Sequence, residues 1–410
     1  MLRNYREIFA LPGALKFSLA GLLARLPIAV LGLGILLFIQ GTSGSYAIAG
    51  IVTATFMVVQ AITNPLIARL VDRHGQARVM APVVVIHVLA LTGLLVTVYS
   101  GWWSGLIFVF AALSGGTVGS LGSLVRARWN AAVRTPRQLD TAFSWEAVAD
   151  EILFVTGPVL VTALATAVLP PAGILASMAA TIIGSLLFYT QKSTEPPIIR
   201  STGADTGKVL TNLGIFVVVI AQVLLGVNFG AIDVIAVAFA EEQGHKALAG
   251  VVLSTFAAGS LLAGVIYGGV TWKSSAHQRF AVMIAALAAA IWLLMLATDM
   301  LRFGVIMFAI GLTIAPSLIA ASSVVKDLAP PRRLTEALAW ISTSLGFGVA
   351  IGSALAGIII DAAGARTAVL VPAVSATIAA VVVALCIRSM DPAVRGHAAR
   401  ADRTVVDTGD

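Results

Sequence analysis

Four charged side chains lie where a charge is costly to keep. Arg25 falls inside the apolar run 13–40, and Glu146, Asp150 and Glu151 fall inside the run 140–168, in the stretch SWEAVADEILFVTGP. A charge at the centre of a membrane-spanning helix costs at least ~2.5–3.5 kcal/mol, so each needs a partner, a neutralising proton or a water-filled cavity. Arg25 is about 12 residues into its run, or ~18 Å, and Asp150 about 10 residues into its own, or ~15 Å. If both runs enter from one side, the two side chains reach the same level. Glu146 and Asp150 share a helix face at i,i+4 spacing, while Glu151 is rotated away by ~100°. Three carboxylates against one guanidinium leave an excess of negative charge, which favours keeping one carboxylate protonated. Three roles follow for Arg25, Glu146, Asp150 and Glu151: proton coupling, direct contact with a substrate, or a fixed ion-pair lattice that locks the helices.

The surrounding composition says what must position these groups. Of the 410 residues 59% are hydrophobic and 11% are Asp, Glu, Lys or Arg, against about 25% charged in an ordinary soluble domain. The mean hydropathy is +0.99. These values exclude a soluble enzyme, a disordered scaffold and a large watery domain on one anchor. Apolar runs cover 13–40, 46–71, 79–99, 102–125, 140–168, 171–190, 208–238, 247–270, 280–298, 301–325, 335–361 and 365–388. A crossing takes about 20 residues, and lipid offers no partner for backbone N–H and C=O groups. Each run is therefore expected to be a helix, in an all-α polytopic membrane protein with 12 transmembrane helices. The first run is too long for a signal-peptide core and is expected to be retained.

Basic residues alternate between the connecting loops. Arg3, Arg73, Arg78, Arg126, Arg128, Arg134, Lys192, Lys273, Arg279 and Lys326 belong to one set of loops; the other set holds only Lys246, Arg302 and Arg366. The positive-inside rule places the first set, with both termini, in the cytoplasm. Tyr46, Tyr99, Trp102 and Trp103 would then join an outer aromatic belt, and Trp129 and Trp272 an inner one. The excess of Lys and Arg, 26 against 19 Asp and Glu, is explained by these loops and calls for no nucleic acid. Residues 191–207 read as a flexible cytoplasmic linker between halves 1–190 and 208–390, and 391–410 as a disordered cytoplasmic tail.

The halves repeat one another. AIAGIVTATF at 47–56 returns as ALAGVVLSTF at 247–256, an offset of 200. Pro136, Leu139, Ala142, Trp145 and Gly157 return as Pro331, Leu334, Ala337, Trp340 and Gly352, an offset of 195. Each repeated segment enters from the same side in both halves, so two six-helix bundles are expected, related by a pseudo-twofold along the membrane normal. Glu146, Asp150 and Glu151 correspond to Ile341, Leu345 and Gly346. The acidic cluster thus belongs to one bundle only.

The stretch after the second run reads Ala68-Arg69-Leu70-Val71-Asp72-Arg73-His74-Gly75-Gln76-Ala77-Arg78. Gly75 permits a tight turn, Asp72 can accept from N–H groups at a helix start, and Arg73 and Arg78 suit an anionic leaflet. The stretch resembles the signature loop of the major facilitator superfamily, with Ala68 in place of the first glycine and Gln76 in place of one basic residue. The resemblance extends over roughly residues 10–390. It implies a conformational latch at Asp72, Arg73, Gly75 and Arg78, and alternating access between two bundles. Gly157-Pro158 resembles a fragment of the Gly-Pro motif of that family's drug and proton antiporters, although Val159, Leu160 and Val161 follow where small residues are usual. The pair is also expected to kink the fifth helix.

Trp145, Gln222, Asn228 and Trp340 are further candidates for lining a cavity; for the two tryptophans packing is the competing reading. His87 is expected to be hydrogen-bonded structure, and Asp233 to sit near an outer end. The run from Gly115 to Gly122 reads as small residues for close helix contact. No catalytic group, metal cluster or cofactor loop is visible, and Cys386 stands alone. The sequence therefore points to a monomeric, multi-pass transporter in the cell membrane. It would use protons to export a small drug-like or amphiphilic compound. A proton-coupled importer of a sugar or metabolite, and a non-transporting receptor or membrane-embedded enzyme, are the alternatives.

Overall fold

The computed structural model describes residues 2–101, 105–119, 121–197, 211–270, 272–329 and 334–391. A short amphipathic helix, α1 (Leu2–Phe9), precedes the apolar ones. The first half continues with α2 (Ala14–Ser43), α3 (Tyr46–His74), α4 (Gln76–Ser100), α5 (Gly105–Gly116), α6 (Leu121–Ala132), α7 (Pro136–Ala167) and α8 (Ala172–Tyr189). The second holds α9 (Leu213–Glu242), α10 (Ala249–Gly269), α11 (Ala276–Trp292), α12 (Met300–Leu328), α13 (Leu334–Ala368) and α14 (Leu370–Leu385). Among the described residues eleven spans are long and apolar enough to cross a bilayer, and α14 is a shorter apolar helix. Together they make twelve crossings in two six-helix bundles, because α5 and α6 share one span.

Local chemistry sets most boundaries. Gly44 ends α2 in the left-handed region at φ 71°, and Ser45 caps α3 by accepting from the Ile48 N–H at 3.1 Å. Thr135 caps α7, with Pro136 in the first turn where its missing N–H costs nothing. The loop between α3 and α4 and the turn that follows α8 define one end of the molecule, here the Gly75 end. The opposite end, with the α2–α3 turn, is the Gly44 end. Three boundaries differ from the sequence reading. The fourth span runs to Ala132 and breaks at Thr117–Gly119, where Gly119 has φ 72°. The glycine run thus serves two purposes: Gly115 lets the Phe56 carbonyl approach, and Gly119 interrupts the helix. The eleventh span continues through Gly364, whose φ of 82° marks a sharp bend before the twelfth. Residues 191–195, expected to belong to a flexible linker, are docked. Arg128 donates to the Gln191 carbonyl at 3.2 Å and to Thr194 Oγ1 at 2.7 Å, and Glu195 accepts from the Ala77 N–H at 3.1 Å. The remainder of the linker, the tail from 392, Trp102, Trp103 and the repeat residue Pro331 lie outside the described residues.

The pseudo-twofold is visible at atomic level. A Cβ built on Gly50 would stand 2.4 Å from the Ser353 carbonyl oxygen; one on Gly250 would stand 2.3 Å from that of Pro158. Gly50 and Gly250 are repeat partners, and so are Pro158 and Ser353. The same reciprocity holds within each half. Gly115 meets the Phe56 carbonyl and Gly311 the Phe256 carbonyl, both at 2.1 Å from the built Cβ. Small residues let helix backbones come this close.

The buried apolar residues form three groups with a clear geography. One spans both halves and occupies the Gly44 side, joining Val30–Ile39, Val52 and Phe56 to Ile232–Ala240, Phe256 and Ala356. The other two keep to one half each. Phe17, Ala24, Ile67, Val125 and Trp129 form one core, and Ile215, Phe280, Val324 and Ile341 the other. The halves therefore share a core toward the Gly44 end and hold separate cores toward the Gly75 end.

Candidate functional site

Helix α2 carries Arg25 and α7 carries Glu146 and Asp150, and the packing of α2 against α7 brings the three together. Arg25 is 1% exposed and Glu146 is fully buried. The Arg25 guanidinium donates to Glu146 Oε2 through one nitrogen and to Asp150 Oδ1 through another, the latter at 2.6 Å. Its Nε donates to the Gly21 carbonyl of its own helix at 3.1 Å. One arginine thus bridges both carboxylates on the shared α7 face, which is the geometry their four-residue spacing allows.

Three residues that sequence reasoning did not place here complete the cluster. Arg126 of α6 donates to Asp150 Oδ2 at 2.9 Å. Trp129 Nε1 and Ser18 Oγ donate to Glu146 Oε1 at 2.6 and 2.8 Å. By sequence alone Arg126 belongs to a loop and Trp129 to an aromatic belt. They belong to the site because α6 continues past the glycine break. No periodicity across that break marked it. The expected excess of negative charge at the pairing is accordingly corrected: two guanidinium groups face two carboxylates. Glu146 accepts from three donors across its two oxygens, as a buried carboxylate requires. Glu151 is different. It is half-buried, and among the described residues it makes no hydrogen bond or ion pair.

Aromatic rings close the cluster from the Gly75 end. Trp145 Nε1 donates to Ser18 Oγ at 2.9 Å, and its ring packs edge-on against Phe9 of α1 at 5.2 Å. Trp129 packs on Phe17 at 4.8 Å. Trp145 is therefore a support for the ion cluster. On the other side a cavity of about 190 Å³ is lined by Arg25, Ile28, Gly122, Arg126, Asp150 and Phe154. Asp150 is 27% and Arg126 40% exposed, so this flank is the more open one.

The remaining candidates are placed as follows. Gln222 is fully buried on α9 with both amide atoms unpartnered, and Asn228, 1% exposed, donates to the Leu224 carbonyl at 2.7 Å. Neither lines an open cavity in this state. They lie on the helix that packs tightly on α13, where Gly226, Gly230, Gly348 and Gly352 bring the two backbones together. Trp340 is 39% exposed at the surface of α13. Gly157 packs on Ala29 and Val30, and α7 continues as one helix through Pro158 to Ala167. Just before the proline, the Val155 carbonyl accepts the Ser254 hydroxyl of the other half at 2.5 Å. His87 Nδ1 lies 2.9 Å from the Ser114 carbonyl, a structural contact. In the signature loop Gly75 has φ 91°, a conformation that favours glycine. Asp72, Arg73 and Arg78 are exposed. Asp72 does not cap α4 as expected; Glu195 takes the Ala77 N–H instead.

A second constellation, at the Gly44 end, joins the halves. Asp361 of α13 accepts from Ser45 Oγ at 2.6 Å, from the Tyr46 N–H at 2.8 Å and from the Ala47 N–H at 2.8 Å. Glu241 of α9 accepts from the Tyr46 hydroxyl and, at 2.9 Å, from Gln40 Nε2, while Lys246 donates to Gln40 Oε1 and Glu241. By sequence alone Tyr46 belongs to an aromatic belt and Lys246 to a loop. Apart from Lys246 and Glu241, which are five residues apart, the partners lie about 200 residues or more away, beyond the reach of any local pattern.

Two related helical bundles, sharing a core at one end and parted at the other, with a charge cluster between helices of one bundle, are the architecture of a multi-pass membrane transporter. The family model described as Major Facilitator Superfamily matches residues 17–218 and 218–407, and the chain belongs to that superfamily. Among solved structures it is similar to a point mutant of the nucleoside transporter NupG, with a TM-score of 0.73 and 14% identity over 92% of this chain and 99% of that one. A bacterial homologue of the iron transporter ferroportin in an inward-facing state gives 0.71 and 16%, over 91% and 98%. A bacterial homologue of the human lysosomal transporter Spinster, inward-facing and occupied, gives 0.69 and 14%, over 92% and 96%. At these identities the likeness establishes the fold. No curated protein matches the chain by sequence.

Proposed function

We propose that this member of the superfamily is a proton-coupled secondary transporter that exports a small amphiphilic solute by rocking residues 1–190 against 208–390. The observation that carries the reading is the contrast on α7. Glu146 and Asp150 are held by Arg25 and Arg126, while Glu151, adjacent in sequence, has no partner among the described residues. An unpaired carboxylate in a span is costly to keep charged, which suits a group that takes up and releases a proton as water reaches it. The paired quartet supplies a neutral, rigid neighbour and a small cavity.

The shared core and cross-half hydrogen bonds lie at the Gly44 end. With the basic loops in the cytoplasm, that end is external and the state is inward-facing. Both termini and the signature loop are then cytoplasmic, in a multi-pass protein of the cell membrane acting as a monomer. Asp72, Arg73 and Arg78 are exposed here because the latch they would form belongs to the opposite state.

A second reading rests on the cavity itself. About 190 Å³ is below the ~300–1,000 Å³ typical of drug-sized ligands, and two guanidinium groups flank it. Because Glu146 and Asp150 neutralise those groups, the small, charge-lined cavity favours a proton-coupled importer of a sugar or metabolite. Reconstituted liposomes separate the readings. A panel of cationic amphiphiles, sugars and organic acids is screened for proton-driven flux, first with the parent and then with Glu151→Gln, Asp150→Asn and the double variant. Loss of proton-driven flux in Glu151→Gln with exchange flux retained supports coupling at Glu151. Full proton-driven transport by all three variants refutes it.

A further inference from the structure

Between α4 and α8, on the outer surface of the first half and remote from the Arg25 cluster, two cavities run into one another. The first, about 600 Å³ at the Gly75 end, is lined by His74, Gly75, Arg78, Lys192, Glu195 and Pro196. The second, about 560 Å³, is an apolar groove along the two helices, lined by residues that include Ala81, Val85, Leu89, Ile182 and Leu186. Ala77 and Lys192 border both, so the polar pocket opens directly into the groove.

We propose that this composite site binds one anionic glycerophospholipid, its phosphate held by Arg78 and Lys192 and an acyl chain lying in the α4/α8 groove. The charge balance selects an anion. The two cations on the polar pocket, Arg78 and Lys192, outnumber its one lining carboxylate, Glu195, which accepts from the Ala77 N–H. Lys192 is held in place from behind, because buried Arg128 grips the turn on either side of it at Gln191 and Thr194. The length matches a lipid tail. From Ala77 to Leu89 α4 rises about 18 Å, and one leaflet of a ~30 Å hydrocarbon core is about 15 Å deep. The groove also holds two hydroxyls without partners. Ser185 is 3% and Tyr189 8% exposed, and neither Ser185 Oγ nor Tyr189 OH has a hydrogen-bond partner. Buried hydroxyls of this kind are rare unless something satisfies them. Both lie in the part of the groove next to Lys192, where the ester carbonyls of a lipid would lie and could accept from them. The site does not depend on the transport reading.

The test uses the full chain purified in neutral detergent. Native mass spectrometry compares retention of phosphatidylglycerol and phosphatidylcholine, with glycerol 3-phosphate as a soluble competitor. Each basic side chain near a charged lipid is worth about a fivefold change in binding, so Arg78→Ala with Lys192→Ala should lower phosphatidylglycerol retention about 30-fold, to the level of phosphatidylcholine. Ala81→Trp, which fills the groove and leaves the basic groups, should weaken the lipid without changing the charge. The replaced residues Arg78 and Lys192 are exposed, and an unchanged melting curve in neutral detergent certifies the fold. Equal retention of the two lipids by the parent, or a double variant that binds as the parent does, overturns the proposal. So does displacement by glycerol 3-phosphate at concentrations equal to the lipid, because a free phosphate site would then suffice.

Discussion

Asp361 joins the halves by an unusual route: a side chain of the second half supplies the acceptor that the first turn of a helix in the first half lacks. The opening N–H groups of a helix have no intrahelical partner. Ser45 satisfies Ile48, and Asp361 satisfies Tyr46 and Ala47 at 2.8 Å each while accepting Ser45 Oγ at 2.6 Å. A capping carboxylate contributes about 0.5–2 kcal/mol, and the helix dipole adds about 0.3–1 kcal/mol. Asp361 is exposed and water can replace it, so the lower part of these ranges applies, about 1–2 kcal/mol in all. All of that difference falls on the closed Gly44 end, because separating the halves breaks the contact. Asp361→Ala should then shift the equilibrium about 5- to 30-fold toward the state open at that end. A minor state populated at about 1% would rise to between about 5 and 25%. Spin labels at Thr42 and Gln243, in a Cys386→Ser background, would read the distance across the end by pulsed electron resonance. A long-distance population should grow in Asp361→Ala and grow less in Asp361→Asn, which keeps one acceptor oxygen. Identical distance distributions for parent and Asp361→Ala, in the same lipid and at the same pH, would refute the reasoning.

Two further outcomes follow from the packing. Arg25→Leu leaves Glu146 buried without its cation, and breaking a buried pair from one side costs about 3–5 kcal/mol. The apparent melting temperature should fall, and the double replacement with Glu146→Leu should recover part of the loss; a single variant that melts like the parent contradicts the ion-pair account. Gly250→Leu drives a side chain into the Pro158 carbonyl, 2.3 Å from the built Cβ, whereas Gly268 has nothing within 4 Å. Gly250→Leu should therefore open the Gly44 end in the same spin-label assay and Gly268→Leu should not. Equal behaviour of the two variants would remove the glycine seam as a determinant of this state.

The Arg25 cluster shows how far depth and spacing reach. Placing Arg25 and Asp150 at similar levels followed from ~1.5 Å per helical residue. Placing Glu146 and Asp150 on one face followed from the helical period. Arg126 and Trp129 escaped because the break at Thr117–Gly119 resets the period. No count along the chain says how α6 is turned relative to α7. Gln222 and Asn228 went the other way. Their polarity suggested a cavity, but the glycines of α9 and α13 pull the backbones so close that both side chains are buried.

By itself the sequence determined the twelve apolar spans, the duplicated halves and the confinement of the acidic cluster to one of them. These depend on composition and on the helical repeat, which are local properties, and on offsets that a linear comparison can measure. Only the tertiary structure decided which cations meet which carboxylates, that Glu151 is left over, and that Asp361 and Glu241 fasten the Gly44 end. Such pairings depend on the rotation and tilt of packed helices. A change of one residue in helix phase turns a side chain by ~100°, enough to send it from a neighbouring helix into lipid.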